Sequence, residues 1–261
     1  MNQPGDTLSF GPPMPEGSGA LQRLQQQGFC VLGAAELAAM AGYALASCAP
    51  AFALWNDLPP DNYLKDGGHY RFRRHGSFIQ TLHPIAGQAE LQTVPHRAHW
   101  QPTAYNALHG GMSRWFAPLS GDLQQAAFWQ PLLCGLGRLF AQVRDTPQWF
   151  VEAHQFRIDT REGVGRPTPE GAHRDGVDFV AVVLIVRHGI RGGETRVFEL
   201  AGQRGVRFTL SEPCSVLLMD DTRVIHESTP VLPEGEACGG WRDTLVLTYR
   251  AGGFLDPLPV V

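Results

Sequence analysis

Apolar residues in the second half of the chain come in short, turn-bounded runs, whereas those in the first half recur at helical spacing. After Asp145 the runs cover 149–159, 179–187, 195–200, 206–210, 215–219, 223–227 and 244–249. Each has the length of a β-strand, and turn formers such as Gly192-Gly193, Ser211-Glu212-Pro213 and Pro233-Glu234-Gly235 separate them. Earlier, Leu21 to Gln27 and Ala34 to Cys48 read as helices, the second through an i, i+3, i+4 stripe of Leu37, Met40, Ala41, Ala44 and Leu45. Gly28 closes the first helix, and Phe29-Cys30-Val31-Leu32 reads as a short strand. Residues 50–110, dense in Pro, Gly, His and aromatics, read as loop. Residues 122–143 turn helical again with a break near Pro131, because proline starts a helix better than it sits inside one.

Seven or eight short strands with outlying helices predict a mainly β fold with helices, of the α+β class. The expected architecture is a double-stranded β-helix, a cupin-like jelly roll flanked by N-terminal helices. No internal repeat or low-complexity linker divides the chain, so 1–261 is expected to be one domain. Within it, 1–19 reads as a loose leader, 20–148 as helical and loop support, and 149–250 as the jelly-roll core.

Composition narrows the function classes. A chain of 261 residues can bury one sizeable core, and a formal net charge of −4 gives no nucleic-acid footprint. The local cluster Arg71, Arg73, Arg74 is the exception. Five cysteines, with no C-x-x-C pair, argue for reduced thiols rather than a disulfide framework. No basic stretch followed by an apolar one marks a secretory signal, and the longest apolar run, Val180 to Val186, is too short to cross a bilayer. The expectation is a soluble, cytoplasmic protein with a small-molecule partner, without nucleic acid or membrane. The oligomeric state is not encoded in any of these features.

The candidate chemistry lies in His173-Arg174-Asp175 and the later His226. Two histidines and one carboxylate can hold Fe(II) on one face of an octahedron and leave three positions open. Residues two apart on a strand point the same way, so His173 and Asp175 are expected to face one metal, with His226 reaching it from a distant strand. The bland alternative is a surface turn, which Pro167, Pro169 and Gly171 would suit. Context argues against it: an apolar strand follows, then Gly192-Gly193-Glu194, then the histidine, then Arg242-Asp243-Thr244. Arg242 and Thr244 are again two apart and can grip one carboxylate together. Metal triad plus carboxylate clamp reads as an iron- and 2-oxoglutarate-dependent dioxygenase.

The stretches His154-Gln155-Phe156-Arg157, His173-Arg174-Asp175, Gly192-Gly193-Glu194, Val224 to Pro230 and Trp241 to Leu245 resemble a bacterial 2OG-Fe dioxygenase family. That family includes the L-isoleucine dioxygenase type, which hydroxylates free amino acids, and BsmA-like proteins. The likeness covers roughly residues 154–250, with Tyr70-Arg71-Phe72-Arg73-Arg74 as a weaker match upstream. It implies that His173, Asp175 and His226 are iron ligands and catalytic, and that Arg242 binds the distal carboxylate of 2-oxoglutarate. It also implies Fe(II), with 2-oxoglutarate and O2 as co-substrates, and hydroxylation of a small molecule such as a free amino acid. The family position of Glu194 can hold Asp, so a structural role is expected there.

Other residues carry weaker expectations. On the strand around Gln155, alternation sets His154 and Phe156 against Gln155 and Arg157, and the latter pair either faces inward to 2-oxoglutarate or substrate or forms a surface-facing strand side. Thr244 joins the cofactor set, and Arg71 and Arg73 read either as a solvated basic patch or as groups that reach a substrate carboxylate from a loop over the mouth of the roll. Tyr70 and Tyr249 read as packing residues. His69, His75, His83, His96, His99, His109 and His188 lack ligand spacing and read as loop or surface histidines. Asp178 sits at an odd offset from Asp175 and is expected to face away. The competing reading is a non-catalytic, metal-binding cupin-like protein with a stress or biofilm-related role. Such a protein has no need of the clamp at Arg242.

Overall fold

The computed structural model describes residues 19–83, 89–202, 204–235 and 239–257. Most of the expected leader therefore lies outside the described residues, as does Cys238. The elements run α1 (Ala20–Gln27), β1 (Phe29–Leu32), α2 (Ala34–Ala41), β2 (Arg71–Leu82), β3 (Ala89–Thr93), β4 (Ala117–Pro118), α3 (Gly121–Gln125) and α4 (Trp129–Ala141). They continue as β5 (Gln148–Asp159), β6 (Phe179–His188), β7 (Ile190–Gly192), β8 (Thr195–Glu199), β9 (Gly205–Phe208), β10 (Val216–Asp220), β11 (Val224–Ser228), β12 (Val231–Pro233) and β13 (Trp241–Arg250).

The strands build a large sheet in the order β1-β10-β6-β13-β5-β2-β3, with β4 beside β2. A small sheet, β11-β8-β9, and the pair β12-β7 complete the roll. The mainly β jelly roll read from the sequence is thus the observed class. Two expectations change. Residues 50–110 are not only loop, since β2 is a twelve-residue strand paired along its length with β5. The boundary at 149 does not separate support from roll either, because β1 to β4 all belong to the large sheet. The second helix also ends early. Gly42 adopts a left-handed conformation (φ 85°) and donates to the Ala38 carbonyl, and a 3₁₀ turn at Leu45–Ser47 replaces the rest, followed by a second at Ala49–Trp55.

Alternation along the strands sorts the two faces of the large sheet. Phe78, Val151, Ala153, Ala181, Val183, Leu245, Leu247 and Tyr249 point to one face and pack with Leu37 of α2 and Leu132, Leu136 and Phe140 of α4. Tyr249 is fully buried there, its hydroxyl donating to the Leu133 carbonyl. On the other face Val180, Leu184, Leu217 and Met219 meet Val197, Val206 and Val224 of the small sheet. The same face of β2, β5 and β13 is polar and lines a cavity.

The helix layer fits closely because α4 carries glycines at its contacts. A Cβ on Gly135 would stand 2.5 Å from the Ala41 Cα of α2, and one on Gly137 would stand 1.9 Å from Gln80 Oε1 of β2. Alanine normally favours a helix over glycine by about 1 kcal/mol. Here Gly135→Ala is expected to destabilise the protein by about 1–3 kcal/mol, as overpacking does. Urea denaturation measures it, and an unchanged or raised midpoint would contradict this packing.

Candidate active site

The cavity, of about 130 Å³, opens between the large sheet and the segment that enters β6. Register arranges its floor in rows across β13, β5 and β2. Arg242, Ile158 and Arg71 form one row, Thr244, Phe156 and Arg73 the next, and Val246, His154 and His75 the third. The register between β13 and β6 shifts at Asp243/Thr244, a bulge beside the Arg242 end.

His173 and Asp175 stand on this cavity, though not as expected from a strand. They lie in the loop between β5 and β6, where His173 makes an isolated bridge to His226 on β11, each backbone N–H donating to the other's carbonyl at 3.0 Å. Strand-like spacing was thus the wrong reason for a pairing that the structure does bring about. Candidate ligand atoms of His173, Asp175 and His226 all lie within 4.8 Å of one another. The histidine Nε2 atoms stand 3.8 and 3.9 Å from the two Asp175 oxygens.

This donor set fits a divalent iron. His173 Nδ1 donates to the Gly171 carbonyl at 3.0 Å, which leaves the Nε2 lone pair free to ligate. His226 is buried, its Nδ1 without a partner among the described residues. Burial and the neighbouring His173 lower its pKa to about 4, which keeps it neutral and able to bind metal. Burial also opposes charge on His173, but Asp175 and Glu170 outweigh it and raise its pKa. The pull of those carboxylates would act equally on a metal cation.

Two residues that the sequence did not single out hold Asp175. Asp221, at the end of β10, accepts hydrogen bonds from the backbone N–H groups of Asp175, Gly176 and Val177 at 3.0, 2.8 and 3.1 Å. Burial and the Asp175 charge raise its pKa to about 7, against the pull of those three donors. Gln101 donates to Asp175 Oδ1 at 3.1 Å and accepts from Arg114 at 2.8 Å. A buried amide between an arginine and an aspartate has no local sequence signature, because Gln101 lies in a loop closed by backbone pairing of His99 with Arg114.

Arg242 is 4% exposed, faces the cavity with Thr244, and makes no side-chain hydrogen bond or ion pair among the described residues. Burial and Arg187 lower its pKa to about 10, which leaves it charged at neutral pH. Arg71 and Arg73 also face the cavity, from the buried strand β2 rather than from a loop. Arg71 donates to Asp61 at 2.7 Å, and Arg73 lies 3.7 Å from the same carboxylate.

The proposed pair Gln155 and Arg157 must be corrected. The pleat turns His154, Phe156 and Ile158 into the cavity and Gln155 to the opposite, buried face. Arg157 grips Asp243 with two 2.7 Å hydrogen bonds on that same face. Sequence parity was right and the choice of side was wrong, because a polar cavity floor inverts the usual assumption about which residues point outward. Glu194 pairs with Arg196, and Asp178 pairs with Arg144, both outside the cavity lining.

Three histidines read as loop or surface residues are buried: His75, His99 and His109. Glu152 accepts from His75 Nε2 at 3.0 Å and from His99 Nδ1 at 3.2 Å. Arg73, which can only donate, reaches His154 Nδ1 at 2.7 Å, so His154 carries its proton on Nε2 at the cavity wall. His75, His99, Glu152 and His154 are close enough together to hold a metal. Both oxygens of Glu152 are engaged by His75 and His99, and His154 Nδ1 by Arg73, whose guanidinium repels a cation. They form a hydrogen-bonded support for the cavity wall.

Residues 53–248 match the 2OG-Fe dioxygenase family. The crystal structure of a BsmA homolog from Methylobium petroleophilum PM1 is 61% identical, with a TM-score of 0.86 over 92% of this chain and 94% of that one. The structure of IDO from Bacillus thuringiensis is 15% identical, with a TM-score of 0.69 over 90% and 94% of the two chains. That of TqaL, an Fe(II)/α-ketoglutarate-dependent dioxygenase, is 18% identical, with a TM-score of 0.65 over 88% and 85%. The last two show a shared fold alone. No curated protein sequence matches this chain.

Buried neutral histidines make stability depend on pH. Burial lowers the pKa of His99 and His109 to about 4, and those of His75 and His154 are lowered as well. In the unfolded chain such groups take up protons near pH 6.5, so between about pH 6.5 and 4 the unfolded state binds more protons and stability is lost as pH is lowered. Tm of the metal-free protein is expected to drop steadily from pH 7 to pH 5. A flat Tm over that window would show that these imidazoles are hydrated.

Proposed function

The chain belongs to the 2OG-Fe dioxygenase family, and from that premise we propose that it hydroxylates a free amino acid or a closely similar small carboxylate. The enzyme requires Fe(II), 2-oxoglutarate and O2, which together sets it apart from a non-catalytic cupin. The observation that carries the substrate reading is an excess of buried guanidinium. Arg71, Arg73 and Arg114 are at most 5% exposed, and Asp61 is the one carboxylate within ion-pair distance of any of them among the described residues. Arg71 Nη2, Arg73 Nε and Arg114 Nε have no partner among the described residues. Buried donors of this kind call for an anion.

In this reading the two ends of the floor take different acids. Arg242, with Thr244, holds the distal carboxylate of 2-oxoglutarate, while His173, Asp175 and His226 hold iron. Arg71 lies two strands from Arg242, roughly 10 Å away between backbones, so the two groups serve separate anions. Bound iron supplies oxidation of a C–H bond coupled to decarboxylation of 2-oxoglutarate to succinate and CO2. The chain's part is to orient both acids, through Arg242 on one side and Arg71 and Arg114 on the other, and to keep Asp175 fixed through Gln101 and Asp221. No single helix among the described residues is long and apolar enough to cross a membrane. A cytoplasmic setting fits Cys30, Cys48, Cys134 and Cys214, which are all buried free thiols.

Succinate formation by anaerobically Fe(II)-loaded protein, started by O2 and screened across free amino acids, tests the proposal. Stimulation by one or a few amino acids is expected, and its absence across the panel would turn the reading towards another carboxylate. Asp175→Ala and His226→Ala are each expected to abolish the stimulated turnover, and retained turnover in either would remove that residue from the metal site. Arg242→Ala is expected to raise KM for 2-oxoglutarate by roughly 10- to 100-fold, the worth of a charge-assisted hydrogen-bond pair. An unchanged KM would place the clamp elsewhere.

A further inference from the structure

Beside the arginines, the same cavity presents one carboxylate that shares its charge with Arg114 and His173 but leaves an oxygen without a hydrogen bond among the described residues. Glu170 lies in the loop ahead of His173, and its side chain is 9% exposed. It lines the cavity, and its Oε2 is buried with no hydrogen-bond partner among the described residues. Its other oxygen, Oε1, stands 3.5 Å from His173 Nε2. That contact is not a lasting partnership. His173 carries its proton on Nδ1, bonded to the Gly171 carbonyl, so Nε2 offers a lone pair and, once it ligates a metal, cannot donate to Glu170. Glu170 is also not one of the residues whose ligand atoms converge for a metal. A buried carboxylate with a free oxygen facing a cavity is costly unless a cation or a donor meets it.

We propose that Glu170 is a specificity-determining residue that receives the α-ammonium of the substrate. Arg114 and Arg71, with the Nε2–H of His154, take the carboxylate. This rests on the amino-acid reading of the cavity and adds the group that separates an amino acid from the same acid without nitrogen. The arginines would accept any small carboxylate, and Glu170 would repel an anionic group and stay unpaired against an apolar one where the ammonium belongs. The unpartnered N–H groups of Arg71 and Arg114 and the unpartnered Glu170 oxygen match the two charges of a zwitterion. The side chain of the substrate then remains for the apolar wall, where Val182, Val246 and Ile158 line the same cavity.

The test compares turnover of each L-amino acid that stimulates succinate formation with the carboxylic acid that lacks only its α-amino group. In the wild-type protein the amino acid is expected to be preferred. Glu170→Gln should raise KM for the amino acid by roughly 10- to 100-fold and shrink its advantage over the unaminated acid, because a charge-assisted hydrogen bond is lost. Glu170→Asp, which keeps the charge, should restore much of the preference. Iron content of each variant is measured alongside. An unchanged preference in Glu170→Gln would overturn the assignment, as would a loss of bound iron in step with activity, which would make Glu170 a metal ligand instead. If wild-type protein turns over no free amino acid at all, the amino-acid reading itself fails. If it does and only the Glu170 variants behave alike, this inference alone fails.

Discussion

A guanidinium taken out of water is stable only where something anionic or strongly accepting faces it, and this fold buries four around one cavity. Arg71 and Arg73 share Asp61, Arg114 has the amide of Gln101, and Arg242 has no side-chain hydrogen bond or ion pair among the described residues. The cost of desolvating these charges is several kcal/mol each before compensation. Native contacts offset part of it: Arg73 also lies over the rings of Phe116 and Phe156, at 3.7 and 4.2 Å from their centroids. Arg71 Nη2, Arg73 Nε and Arg114 Nε keep no partner among the described residues, so the protein leaves the arrangement electrostatically unfinished.

The metal side of the cavity obeys the same logic with opposite sign. Asp175 sits on an irregular loop and so needs its geometry imposed, which Asp221 does through three backbone N–H groups and Gln101 through the carboxylate itself. The Arg114–Gln101–Asp175 chain ties the arginine wall to the metal wall, so the two halves cannot be arranged independently. His75, Glu152 and His99 do comparable work behind His154, because neutral imidazoles bonded to one carboxylate fix which nitrogen of each ring carries the proton.

The jelly roll and the residues at its mouth were legible in the sequence where one face of a strand meets apolar neighbours, as in β6, β10 and β13. Strand β2 was not legible. Its cavity face carries Arg71, Arg73, His75 and Ser77, and its other face carries Phe72, Arg74, Gly76 and Phe78, so no clean alternation of apolar and polar residues survives. The same feature misdirected Gln155 and Arg157, whose parity was read correctly against the wrong face. His173, Asp175 and His226 stood out because ligand chemistry restricts residue type. Asp221, Gln101 and Glu170 did not, because they act through contacts that only the folded loops create.

Where the two acids sit decides which arginine serves which ligand. A crystal structure of the anaerobic Fe(II) complex with 2-oxoglutarate measures this. The expected result is the distal carboxylate on Arg242 and Thr244, with Arg71 and Arg114 free to meet a second acid. A distal carboxylate found on Arg71 or Arg114 would contradict it, since the cavity would then hold its anions the other way round.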